Sequence, residues 1–160
     1  MKYLNLLLLS MLLLSNSLAV NAKEIYVPDG TRVPFTANET FTSKEINSST
    51  KIPVTIAGDV YYDNYLIFKK GTQGYIYPSY VNKAGMFGKN GQINFENVYL
   101  YDTNSTQQIL SSSYEYKGKK VIYGTFGFFS KSAEASVSPG NLMYGKTIGT
   151  IKFDTKSKSL

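Results

Sequence analysis

The feature that most constrains this chain is short-range alternation: brief runs of β-branched and aromatic residues, cut apart by turn residues. The runs are Thr31 to Ala37, Lys51 to Ala57, Val60 to Phe68, Gly74 to Val81, Gln92 to Tyr101, Gln107 to Ser111, Tyr114 to Tyr116, Lys119 to Phe126 and Gly145 to Phe153. In the second, Ile52, Val54 and Ile56 share one face and Lys51, Pro53 and Thr55 the other, the period of a pleated, half-buried strand. Between the runs stand Asp29-Gly30, Asp63-Asn64, Gly71, Asn90-Gly91, Asp102 to Ser105, Gly118 and Pro139-Gly140, residues that favour tight turns. Short strands at this interval predict an all-β fold, a small single-domain β-barrel or sandwich of roughly seven to nine mostly antiparallel strands.

Finer expectations follow from the same pattern. Gln92 to Tyr101 carries apolar groups on both faces, which predicts a strand buried on two sides. Pro34, Pro53 and Pro78 fall inside runs; a residue with no N–H to donate belongs at an edge, a strand start or a bulge. Ser130 to Ala135 is the one stretch where a short helix is expected. Val27-Pro28-Asp29-Gly30-Thr31, Phe68-Lys69-Lys70-Gly71-Thr72 and Val137-Ser138-Pro139-Gly140-Asn141 echo one another. Each reads as a turn in which only glycine fits the backbone angles, feeding a strand.

The first 22 residues read differently. Lys2 is followed by the apolar Leu4 to Leu14, then Ser15-Asn16-Ser17, and small residues around Val20-Asn21-Ala22 precede a cut before Lys23. This is the pattern of a secretory signal peptide, too short in its apolar part to span a bilayer. The expected organisation is therefore a signal peptide at 1–22, a β-domain at 23–154 and a disordered, lysine-rich tail at 155–160. The expected location is outside the cytoplasm: periplasmic or envelope-associated, or secreted.

Composition narrows the chemistry. The chain has no histidine and no cysteine. That removes Ser-His and Cys-His nucleophile pairs, thiolate chemistry, His- or Cys-held metal and a disulfide framework. Paired carboxylates, a Ser-Lys couple or an all-oxygen metal site remain as routes to catalysis. Asp59, Asp63 and Asp102 lack calcium-loop spacing and read as turn caps, while Glu96, in a strand expected to be buried on both faces, is the one acid with a route to a raised pKa. No cofactor and no enzymatic activity are expected.

The formal net charge is +6. Every basic residue except Arg32 is lysine, which argues against specific nucleic-acid reading, since arginine forks onto phosphates and base edges. Lys117, Lys119, Lys120, Lys152, Lys156 and Lys158 are spread out, and read as solvated strand edges or as a means of peripheral membrane association with anionic lipid.

The turn and strand markers carry a resemblance. The segments Val27-Pro28-Asp29-Gly30-Thr31-Arg32-Val33, Thr42-Ser43-Lys44, Ile52-Pro53-Val54-Thr55-Ile56-Ala57-Gly58-Asp59-Val60 and Ile67-Phe68-Lys69-Lys70-Gly71-Thr72 resemble a β-domain of exported bacterial proteins of largely unknown function. A similar layout occurs in the barrel domain of the outer-core component of type IV secretion and conjugation channels. The resemblance spans roughly Ile25 to Leu110. It implies a β-barrel or sandwich in an envelope setting and no chemistry. This chain lacks the helical insertion and proline-rich linker of such channel components, so a stand-alone relative is the expectation.

Two candidate binding sites emerge. The loop Lys83 to Gly91 sets Met86 and Phe87 among three glycines, with Lys83 and Lys89 on either side. It reads as a hairpin connection with its apolar pair tucked under the barrel, or as a backbone anion cradle assisted by the lysines. Tyrosines gather at Tyr61, Tyr62, Tyr65, Tyr75, Tyr77 and Tyr80. Exposed in a row, Tyr75, Tyr77 and Tyr80 would form a platform for sugar rings or peptide; buried, they would be cross-strand packing. The leading expectation is a non-catalytic envelope module with an envelope protein as partner. The alternative is a secreted carbohydrate-binding module using the tyrosines.

Overall fold

Each alternating run carries strand. The computed structural model describes residues 23–85, 89–119, 121–123 and 129–155. Its strands are β1 (Lys23–Val27), β2 (Arg32–Ala37), β3 (Phe41–Thr42), β4 (Ile52–Ile56), β5 (Val60–Tyr62), β6 (Tyr65–Phe68), β7 (Gln73–Asn82), β8 (Gln92–Tyr101), β9 (Gln107–Lys117), β10 (Val121–Tyr123), β11 (Phe129–Lys131), β12 (Ser136–Val137), β13 (Met143–Thr147) and β14 (Ile151–Thr155). The fold is all-β, and among the described residues there is no helix. Six strands close into an antiparallel barrel in the order β13-β2-β4-β7-β8-β9, and β9 returns to β13 through Leu110–Thr147 and Ser111–Lys146. Four two-stranded sheets, β1–β14, β5–β6, β3–β12 and β10–β11, decorate it.

The strands outnumber the expected seven to nine for two reasons. Two runs, Val60 to Phe68 and Gly145 to Phe153, are each split by a turn into two strands, β5–β6 and β13–β14. Pieces as short as β3 and β12, two residues each, leave no periodic trace in a sequence. Thr155, assigned to the tail, closes β14 opposite Lys23, where its hydroxyl accepts from the Lys23 amide at 2.9 Å and donates to the Lys23 carbonyl at 2.7 Å.

The core lines the inside of the barrel. Val33, Phe35, Val54, Ile56, Ile76, Ile93, Phe95, Val98, Leu100, Leu110 and Met143 are buried to within 1%. Each such aliphatic or aromatic side chain contributes about 1.5–3 kcal/mol on burial, and their cross-strand pairs (Phe35–Ile56, Ile52–Ile76, Ile76–Val98, Val98–Leu110) run round the wall.

In β8 the expectation of two-sided burial is corrected. Ile93 and Phe95 point inward, and so do Val98 and Leu100, because the register shifts between Phe95 and Asn97. The irregularity changes the phase of the alternation, so one strand holds both apolar sets on one face. It also turns Glu96 out to solvent, away from the buried position expected of it.

Pro78 meets the expectation of a bulge, whereas Pro34 pairs with Tyr144 in the β2–β13 ladder and Pro53 with Tyr75 in the β4–β7 ladder, inside a closed barrel that has no edge. Pro78 lies between two register shifts of the β7–β8 ladder. Pro34 and Pro53 flank the β2–β4 ladder, whose partners run Phe35–Ala37 against Val54–Ile56, and each still accepts through its carbonyl, from Ala57 and Asn38.

The helix expected over Ser130 to Ala135 is absent; β11 occupies its start and residues 132–135 run irregularly into β12. Its backbone groups are engaged elsewhere: Ala133 O accepts from Gly91 N, and Ala135 exchanges bonds with Ser43 through both its N–H and its C=O. Groups used this way are not free for the i to i−4 bonds of a helix.

The three echoed turns share one geometry. Gly30, Gly71 and Gly140 have φ of 77°, 85° and 89°, in the left-handed region. In two of them the turn closes from the residue after glycine, Thr72 N to Lys69 O and Asn141 N to Ser138 O, both at 3.2 Å. In the first, the Thr31 hydroxyl makes that bond to Pro28 O at 2.9 Å, leaving Thr31 N to donate to the Thr147 hydroxyl.

Candidate functional site

The outer face of the barrel becomes aromatic where β4, β7, β8 and β9 lie side by side. The ladders set Pro53 opposite Tyr75, Tyr75 opposite Tyr99, and Tyr99 opposite Ile109, with Tyr101 opposite Gln107 one step along. All have side chains on the solvent side, because their neighbours Val54, Ile76, Val98, Leu100 and Leu110 take the inside.

Tyr75 is the centre of this face. Its ring stacks on Tyr99, centroids 4.9 Å apart and planes 12° apart, and meets Tyr77 edge-on at 5.5 Å. Tyr77 also meets Tyr99 edge-on at 6.0 Å. The Lys51 ammonium lies over the Tyr75 ring, 4.1 Å from its centroid. The Tyr75 and Tyr101 hydroxyls both donate to Gln107 Oε1, at 3.0 and 3.3 Å. Burial pushes the Tyr75 hydroxyl above its ordinary value, the neighbouring Tyr101, Tyr77 and Tyr99 push it further, and the bond to Gln107 opposes them. The phenol is neutral, and a donor, at physiological pH.

A shallow cleft of about 440 Å³ opens beside Tyr75, lined by Lys51, Pro53, Gln73, Gly74, Tyr75 and Tyr101. Its floor depends on Gly74, where a Cβ would collide with the Tyr99 carbonyl oxygen and come within 2.7 Å of Leu100 Cδ2. The lining carries one cation and no carboxylate.

Of the expected platform, Tyr75 and Tyr77 come together and Tyr80 does not join them. Tyr80 is 49% exposed opposite Asn94, beyond the second register shift of β7, outside the aromatic contacts among the described residues. Tyr61, Tyr62 and Tyr65 belong to the separate β5–β6 hairpin. Tyr62 borders another cleft, with Lys23, Glu24, Ile25, Tyr26 and Asp63. The charges there are paired already, Lys23 with Asp63 at 3.0 Å and Lys152 with Glu24 at 2.6 Å. Lys51, Tyr99, Tyr101 and Gln107 are members that the sequence reading passed over. The signal for them is pairing: only the β7–β8 register brings Tyr99 against Tyr75.

In the glycine-rich loop, Met86 and Phe87 lie outside the described residues. Between Lys83 and Lys89, Gly85 N donates to Lys89 O at 2.8 Å. Ala84 N donates to Glu134 at 3.0 Å. Glu134 also accepts from the Ser43 hydroxyl, which is buried and itself accepts from Ala135 N. Burial pushes the Glu134 carboxyl up, but the Ser43 hydroxyl, the Ala84 amide and the charges of Lys44 and Lys83 outweigh it, so its pKa lies below the ordinary value. This loop holds an anion of the protein's own.

Two of the three turn aspartates act as caps, and Asp63 instead accepts from the Lys23 ammonium at 3.0 Å. Asp102 is buried and accepts from Asn104 N, Thr106 N and Gln108 Nε2 at 2.8 to 2.9 Å, and Asp59 accepts from Lys70 N at 2.6 Å. Among the described residues no three acidic side chains gather as metal ligands.

Compared with protein-family models, curated proteins and solved structures, the chain matches none of them.

Proposed function

We propose that this chain is an exported, non-catalytic β-barrel of the bacterial envelope that works by binding, and that its ligand is a glycan held on the Tyr75–Tyr99 face. The observation that carries this reading is the aromatic cluster itself. Three tyrosines are in mutual contact on the outside of a closed barrel, beside a cleft, with hydroxyls and an amide at the rim. Sugars present apolar C–H patches ringed by hydroxyls, and tyrosine offers the matching combination of flat apolar body and polar tip. Clefts of this size hold small ligands or a few rings of a polymer. Export is supported by the pattern of Lys2, the leucine run and Ala22. A non-catalytic role is supported by the acids: Asp102 and Asp59 are spent on turns, and Glu96 faces solvent on its strand.

A glycan array probed with the purified protein tests the reading. Binding that is lost on Tyr75→Ala while the fold persists supports it. Absence of any glycan signal, together with co-purification of an envelope protein, would replace it with the protein-partner role that the channel-barrel resemblance implies.

A further inference from the structure

Lys51 lies on the Tyr75 ring, a flat surface at the cleft on which a sugar would stack. One face of the Tyr75 ring is covered by Tyr99, at 12° between planes, and the Lys51 ammonium lies over the ring 4.1 Å from its centroid. Among the described residues Lys51 has no carboxylate partner. An exposed cation–aromatic contact is a weak restraint, and a hydrogen bond from ammonium to carboxylate is a stronger one. A neutral sugar therefore has to dislodge Lys51 and offers it only the weaker, uncharged hydroxyl acceptors in return. A sugar carrying a carboxylate provides the ammonium with a better partner than the ring.

We infer that Lys51 acts as a charge-operated cover on Tyr75, and that the face selects acidic glycans of the uronate type over neutral ones; the inference rests on the glycan reading above. The charge must sit on the stacked ring itself and not on a linker between sugars, because the ammonium starts directly over the stacking surface. The cleft adds no competing negative charge: Pro53, Gln73, Gly74, Tyr75 and Tyr101 complete its lining. Gln73 and Tyr101 are placed at the rim for ring hydroxyls. The neutral Tyr75 phenol adds no repulsion.

The test compares binding of oligogalacturonate and of a neutral oligosaccharide, cellohexaose, by calorimetry, for the purified protein and for Lys51→Ala. The parent protein is expected to prefer the acidic chain about tenfold, a preference that shrinks as salt rises. Lys51→Ala is expected to move the two ligands in opposite directions, weakening oligogalacturonate and strengthening cellohexaose, because the cover and the charge leave together. Lys152→Gln, which removes a lysine of the β1–β14 sheet, should keep the preference. Equal binding of both ligands, or a Lys51→Ala variant that weakens both alike, would overturn the cover while leaving the glycan reading intact. Binding of neither ligand, with none on a wider array, would overturn both.

Discussion

Tyr75 and Tyr99 lie face to face across the β7–β8 ladder, centroids 4.9 Å apart with planes 12° from parallel. A cross-strand aromatic pair contributes about 0.5–1.5 kcal/mol beyond the area it covers. A double-mutant cycle of Tyr75→Ala and Tyr99→Ala, read by urea unfolding, should return a coupling in that range. Additive effects would show that the rings are neighbours without interacting. Either single change should also reduce glycan binding more than it reduces stability.

Gly74 lets that pair form. An added methyl there meets the Tyr99 carbonyl oxygen, which is backbone and cannot rotate away, and Leu100 Cδ2 at 2.7 Å. Gly74→Ala should destabilise by about 1–3 kcal/mol, the usual cost of overpacking, and should disturb binding through the displaced β8. A denaturant midpoint unchanged from the parent would mean that the two strands are not this close.

The turn glycines separate backbone strain from crowding. Gly71 has φ of 85° and open space around its Cβ position, so Gly71→Ala should cost about 1–2 kcal/mol through conformation alone. Gly58 has no such φ, and its added Cβ would meet only Pro34 Cγ at 3.4 Å. Gly58→Ala should be neutral or slightly stabilising, by up to about 1 kcal/mol, as the unfolded chain loses freedom. Thermal melts of both variants check the contrast.

Glu134 should make the barrel acid-sensitive. Its carboxyl has a folded-state pKa below its ordinary value of 4.5, so the unfolded chain binds the proton more readily. The stabilisation is therefore complete well above pH 4.5 and is lost as pH falls through that value toward the folded one. Glu134→Gln should cost about 1–3 kcal/mol at neutral pH by weakening the bonds from Ser43 and Ala84, and should flatten the stability profile below pH 5 relative to the parent. An identical acid slope in the variant would assign the sensitivity to other carboxylates.

The barrel was legible because alternation and glycine turns are local signals. Ile52-Val54-Ile56 reads inward in the sequence and lies inward in the structure, and Gly30, Gly71 and Gly140 adopt the positive φ that their shared pattern demands. What stayed hidden depends on pairing between distant segments. The phase change at Glu96 turns an apparent two-faced strand into a one-faced one, and no local count reveals it. The irregular course of residues 132–135 follows from bonds to Ser43 and Gly91, far away in the chain. The site was half visible for the same reason. Tyr75 and Tyr77 stand out as tyrosines in an exposed register, whereas Tyr99, Tyr101 and Gln107 join them only through the β7–β8–β9 register, and Lys51 only through β4.

The most direct measurement is an amide chemical-shift titration of the isotopically labelled protein with oligogalacturonate. The expected result is a set of shifts concentrated at Lys51 to Pro53's neighbours, Gln73 to Tyr77 and Tyr99 to Gln107, saturating with one affinity. Shifts gathered instead around Tyr26, Tyr61 and Tyr62, or no shifts with any glycan that the protein is shown to bind, would contradict the assignment of the Tyr75–Tyr99 face as the binding surface.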